Sequence, residues 1–431
     1  MTRVWTGIRF AKNYFFGLVG GVRRALFAAI AATALMSSPC VFGQTLTTLY
    51  NFGSHAHDGA DPQAGVVFDE TGNLYGATAI GGKAGSNGIL FELKPTSLGL
   101  WSEIVLHKFQ GRPDGKIPEG RVIFGSMGTL VGTTSRGGVN DMGTVFAWSP
   151  SPDRSRSEKV LYSFGSIPND AVQPTVGLIA APSGFYGAAQ GGANNTGAVY
   201  NLSPPIGGKR TWSETILYSF KGSGSGDAAF PSGELVSDAS GNLYGATLLG
   251  GVNNLGAVFQ LSPPAVQGDP WTETIIYSFS GTDGTLPAGP LLLDTSGALY
   301  GTTDGGGTKA GGTVFKLAPP RAPGGSWTET VLFNFSGGSL DGGNPSAGVI
   351  MNKKGRLLGT ASTGGQGAGG VVFMLKAPGG NGEWSETVLH SFSGPDGYRP
   401  ISPLVLRRGE IYGTTSLGGL FGTGTVFVLR R

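Results

Sequence analysis

A single pattern recurs seven times along this chain, and few folds can accommodate it. Residues 243–259 read LYGATLLGGVNNLGAVF, and six further copies begin at residues 74, 130, 185, 299, 357 and 411. The first glycine of each copy is Gly76, Gly132, Gly187, Gly245, Gly301, Gly359 or Gly413, so the spacing runs from 54 to 58 residues. Other features hold the same register. A segment ending in Phe precedes each copy, as in LYSF at 161–164 and IYSF at 276–279. An Asp-x-x-x-Pro element follows it, from Asp58 and Pro62 to Asp396 and Pro400. Five units place a Trp before the Phe-ending segment (Trp101, Trp212, Trp271, Trp327 and Trp384), with a Glu two residues later, and Glu158 fills that slot in a sixth. A period of this length marks an array whose units bury their apolar faces on one another.

Each unit holds four strand candidates. In the fourth unit they are residues 233–238, 242–247, 256–262 and 271–279. Four short strands repeated seven times predict an all-β chain, a seven-bladed β-propeller of roughly 56-residue blades. The chain opens, after residue 43, on a fourth-strand pattern (46–52) and ends on a third-strand pattern (424–431). The first segment is therefore expected to complete the last blade and close the ring. An open solenoid is the competing architecture, but it uses shorter units and needs capping repeats. The double glycines suggest a phosphate loop, yet no Gly-Lys-Ser/Thr follows and no helix pattern succeeds them. They read instead as tight excursions between the second and third strands, where positive φ is required.

Residues 1–43 differ from the rest. They carry Arg3, Arg9, Lys12, Arg23 and Arg24 and no acid, then an apolar run over 25–36. That order of basic region, short apolar region and small residues predicts a secretory signal, with one propeller domain over 44–431. The apolar run is short for a bilayer span, and Pro39 before Cys40 fits a lipidation site poorly. With the signal removed, 25 Lys and Arg face 27 Asp and Glu and no cysteine is left. The expected molecule is exported, without disulfides, without a membrane span and monomeric. It has no basic surface for nucleic acid.

The Leu-Tyr-Gly-Thr-Thr, double-Gly and Gly-Thr-Val-Phe elements, with the Leu-Tyr-x-Phe segment, resemble the GloVer tandem repeat of the choice-of-anchor exported bacterial proteins. The resemblance covers nearly all of 46–431 and implies export. It brings no catalytic residues to place on this chain. Members often end in an anchoring segment, a pattern the residues up to Arg430 and Arg431 do not carry, and the expected location of the exported chain is periplasmic, secreted or cell-surface. A weaker likeness to kelch propellers agrees on the fold alone.

No motif announces an enzyme. The topology puts the glycine loops and the Asp-x-x-x-Pro segments on one face, so the candidate ligand contacts lie there. They are Asn194, Asn195, Asn253 and Asn254 in two glycine loops, and Tyr398, Arg399 and Phe421, which depart from the repeat in the last unit. A longer insertion over 221–230 sets the fourth unit apart. His55 and His57, with Asp58 and Asp61, form a weak candidate metal set. His107 and His390 stand in Tyr slots and read as packing variants. The repeated Asp is expected to cap a turn, and the repeated Glu to protect an outer strand edge. Seven carboxylates in a ring could also hold calcium or a sugar, although no cofactor is required. The expected function is a non-enzymatic binding or scaffold module for a glycan or an envelope protein. The alternatives are a polysaccharide-active glycosidase or lyase and a calcium-stabilised structural repeat.

Overall fold

The computed structural model describes residues 44–430 apart from 82–86, 151–156, 209–210, 267, 323 and 381. The expected signal lies outside the described residues. What is described is β-structure joined by turns, with two short 3-10 turns.

Seven antiparallel sheets of four or five strands follow one another around an axis. Blade four is representative. Its strands are Val236–Ser237, Leu243–Gly250, Ala257–Ser262 and Thr272–Ser278, paired in that order. Blade one begins at Val66–Phe68 and the others succeed it in chain order. Blade seven takes Val405–Arg407, Glu410–Thr415 and Thr425–Arg430 from the C-terminal end, and its fourth strand is Thr45–Asn51. Leu46 pairs with Leu429 and Tyr50 with Val426, so the ring closes through backbone hydrogen bonds as the sequence predicts.

One aromatic contact is repeated at every seam. The Phe ending each fourth strand meets an aromatic ring on the third strand of the next blade. Phe52 meets Phe91, Phe109 meets Phe146, Phe164 meets Tyr200 and Phe220 meets Phe259. Phe279 meets Phe315, Phe335 meets Phe373 and Phe392 meets Phe427. Centroids lie 5.0 to 5.3 Å apart, a separation at which such pairs add about 0.5–1.5 kcal/mol beyond area burial. The in-strand glycine makes room for the second ring of each pair. A Cβ on Gly245 would stand 2.6 Å from Phe259 Cζ, so the close neighbour at this glycine is a side chain rather than another backbone.

The glycine loops lock onto the following blade. Gly256 has φ +105°, and a Cβ there would lie 2.2 Å from Pro287 Cδ. The equivalent loop glycines press on Pro62, Pro118, Pro174, Pro231, Pro345 and Pro400. Glycine loop and Asp-x-x-x-Pro segment thus form one interlocked rim on one face.

Candidate functional site

The repeated Asp caps its own turn, as the sequence suggested. Its carboxylate accepts a backbone N–H one or two residues after the seam Phe: Ser54 to Asp58 at 2.8 Å, Ser166 to Asp170 at 2.7 Å, Lys221 to Asp227 at 2.8 Å, and likewise in the other four units. A Tyr hydroxyl donates to the same Asp at four seams, and His107 and His390 take that place at two.

The repeated Glu corrects an expectation. It does not guard a strand edge. In blade three Glu214 shares a face with Ile216 and turns into the seam with blade two, toward Tyr162 and Asp170. Burial, reinforced by the repeated Asp, pushes Glu103 and Glu273 up to about 8 and Glu214 up to about 10. Burial and the same neighbour bring Glu158, Glu329 and Glu386 to about 7. One carboxyl oxygen of each of the six is buried without a hydrogen-bond partner. Glu103, Glu214 and Glu273 favour the protonated form near neutral pH.

The structure divides the candidate metal set. Asp58 is buried and joins His55 and Glu103, whose Oε2 lies 3.3 Å from His55 Nε2. Asp61 is elsewhere, 2.7 Å from Gln63 Nε2 and facing Arg399. His57 contacts His55 through its backbone N–H. His107, Asp114 and Glu158 form a comparable triad. Both groups place oxygen and nitrogen donors close enough to suit a divalent cation.

The loop asparagines serve their loops. Asn253 Nδ2 donates to Phe279 O and Asn194 Nδ2 to Phe220 O, both at 2.9 Å. Asn254 and Asn195 adopt left-handed backbone, φ 55° and 56°, and Asn254 Oδ1 accepts the Gly250 N–H. Phe421 and Tyr398 are exposed, and Tyr398 pairs through its backbone with Leu417.

A feature the sequence reading missed surrounds the axis. The residue before each Asp-x-x-x-Pro proline has positive φ in all seven units: Asp61, Ile117, Gln173, Phe230, Leu286, Asn344 and Arg399, at 53° to 60°. None is glycine. Each N–H donates to the residue before the last loop glycine of the preceding unit, from Asp61 to Thr423 O at 2.8 Å through Arg399 to Gly369 O at 2.8 Å. These bonds hold the strained backbone in place. The sequence signal was a column of seven different residues, each directly before the repeated proline. Phe230 of this ring lines an axial cavity of about 290 Å3, to which every blade contributes. Below the mouth the axis is tightly packed. A Cβ on Gly233 would lie 2.0 Å from Gly289 O, and one on Gly348 2.4 Å from Pro290 O. Arg121 of blade two reaches past blade three to Glu234 of blade four, with Nη2 to Oε2 at 2.5 Å and Nε to Oε1 at 3.2 Å.

The mouth is chemically lopsided. Asp61, Glu119 and Asp304 each have a carboxyl pushed up by burial, with Arg399 drawing down Asp61 and Asp304, and Arg136 drawing down Glu119. Phe230 and Leu248 present apolar surface elsewhere on the cavity wall.

Sheet topology, repeat and closure define a seven-bladed β-propeller repeat protein. The Gloeobacter/Verrucomicrobia repeat model matches residues 41–200, 102–294 and 291–431, and the chain belongs to that family. Among curated proteins, none matches it. Among solved structures it is similar to the extracellular domain assigned to a hybrid two component system of B. thetaiotaomicron. That likeness has TM-score 0.53 and 11% identity over 89% of this chain, and it spans 39% of that protein. It also resembles the polysaccharide lyase Uly1, with TM-score 0.49 and 11% identity over 89% of this chain and 92% of that one. At this identity the likeness concerns the fold. Among the described residues no helix is long and apolar enough to cross a membrane.

Proposed function

We propose that this is an exported binding module that takes a glycan or an envelope protein segment at the axial mouth of the loop-bearing face. The carrying observation is the ring of left-handed, non-glycine residues. A purely structural turn would be best served by glycine there, because each other residue costs about 1 kcal/mol or more of backbone strain. Seven units keep the strained backbone and vary the side chain from Asp to Phe to Arg. Constant geometry with changing chemistry suits a recognition surface, since the side chains are held rigidly and each adds a different contact. Arg399, Asp61 and Asp304 supply hydrogen bonding for hydroxyls or backbone amides, and Phe230 supplies an apolar face.

A second reading, an enzyme acting on extracellular polysaccharide, is favoured by one observation. Asp61, Glu119 and Asp304 gather raised carboxyls at one mouth, and such groups suit proton transfer. A glycan array with a parallel turnover screen separates the two. The binding reading expects retained ligand and no new reducing or unsaturated ends. Product from any polysaccharide would overturn it. Loss of binding in Arg399→Gly and Phe230→Gly, with fold and stability kept, ties the ligand to the mouth.

A further inference from the structure

Five blades carry a Trp two residues before the inward-facing Glu, and this ring fills the seam with the preceding blade. Trp271 meets Tyr186 with centroids 5.9 Å apart, and Trp327 meets Tyr244 at 6.1 Å. Blade seven departs from this. Its fourth strand is Thr45–Asn51, where Leu46 opposes Leu429 just as Glu386 opposes Leu375 in blade six. Leu46 therefore occupies the Glu slot, and Gln44 occupies the Trp slot. The facing position in blade six, which is Tyr244 in blade four, is Leu358. Both halves of the packing pair have been reduced at one seam.

The consequence is a cavity of about 550 Å3 between blades six and seven. The corresponding place between blades three and four, lined by Tyr186, Asn201, Leu217 and Trp271, holds about 220 Å3. The larger cavity falls in the size range of ligand sites. Leu358, Met374, Leu406 and Leu429 are among its walls, and exposed Lys353, Lys354 and Arg408 also line it. No carboxylate lines it; neighbouring Glu410 pairs with Arg430 at 2.8 Å and also lies within electrostatic reach of Arg408. Gln44 Oε1 is buried without a hydrogen-bond partner.

We propose that this seam binds a monocarboxylate with a long apolar body, a straight-chain fatty acid. The hydrocarbon would lie on the aliphatic walls, and the carboxylate would meet the three cations, which have no counter-charge on the lining. The site is separate from the axial mouth, and its test does not depend on the mouth being a binding surface. The probe is 11-(dansylamino)undecanoate on the full chain, displaced by decanoate, decanol or decyltrimethylammonium. Decanoate is expected to compete about tenfold better than decanol, and the ammonium not to compete. Lys354→Glu with Arg408→Glu should erase the advantage of decanoate and leave decanol unchanged. Gln44→Trp should refill the seam, abolish probe binding and raise the melting temperature, while Arg399→Gly should leave probe binding intact. If Gln44→Trp misfolds, Leu358→Trp fills the same space from the other wall. Absence of probe binding, decanol matching decanoate, or parental binding by a folded filled-seam variant would each overturn the proposal.

Discussion

Seven residues with the same backbone strain and seven different side chains invite a test at the residue scale. Phe230→Gly and Arg399→Gly relieve left-handed backbone, so each variant should match or exceed the parent in stability, by up to about 1 kcal/mol in urea unfolding. Equal or better stability with lost binding is the expected signature of strain kept for function. A second residue-scale test uses Glu273, pushed up to about 8 by burial and by Asp227. The unfolded carboxyl titrates near 4.5, so between these values the folded chain holds a proton that the unfolded chain has lost. Stability from this group is complete below about 4.5 and falls away as pH rises through about 8. The other five seam glutamates act in the same direction. Differential scanning calorimetry should therefore find a melting temperature that declines from pH 5 to pH 8. Glu273→Gln, neutral throughout, should melt above the parent at pH 8, by about 1–2 °C, and respond less to pH. Calcium that raised the pH 8 melting temperature of the parent, but not of Glu103→Gln, would instead assign a cation to the seam of His55, Asp58 and Glu103.

At the scale of the element, the glycine loop is an interlock rather than a hinge. Gly256→Ala places a methyl against Pro287 and forces positive φ on a residue that disfavours it. The expected loss is about 2–4 kcal/mol, read from denaturant midpoints. Gly224→Ala is the control, with nothing within 4 Å of its Cβ, and it should be close to neutral. Most of this level was legible from the chain. Strand count, the Asp cap and the loop positions all follow from spacing, because local hydrogen bonding and steric rules act on neighbours in sequence. The direction of the seam glutamates was not legible. The alternation of the fourth strand is visible in W-[ST]-E-T, but which side faces a neighbouring blade depends on the packing of sheets. The left-handed ring was likewise hidden, since Ile, Leu and Phe carry no propensity for positive φ. Backbone hydrogen bonds to the preceding unit, joined in several units by bonds within the unit, hold them there.

At the scale of the whole molecule, closure rests on one strand. Deleting Thr45–Asn51 would uncover the Thr425–Arg430 strand as an open edge and strip Phe52 of its neighbouring strand. The expected result, by size-exclusion chromatography with light scattering, is a lower melting temperature and self-association through the exposed edge. A monomer of parental stability would show that closure is not structural. The sequence alone determined a great deal here: seven units, four strands in each, an N-terminal strand that completes the last blade, and an Asp that caps each turn. Those properties repeat, and repetition is readable because every unit solves the same local problem. Only the tertiary structure decided which positions meet across seams and around the axis. It brought Arg399 toward Asp61 across 338 residues of chain, and it set Gln44 where the other described seams place a tryptophan. Such contacts join different units, and the spacing within a unit carries no information about them.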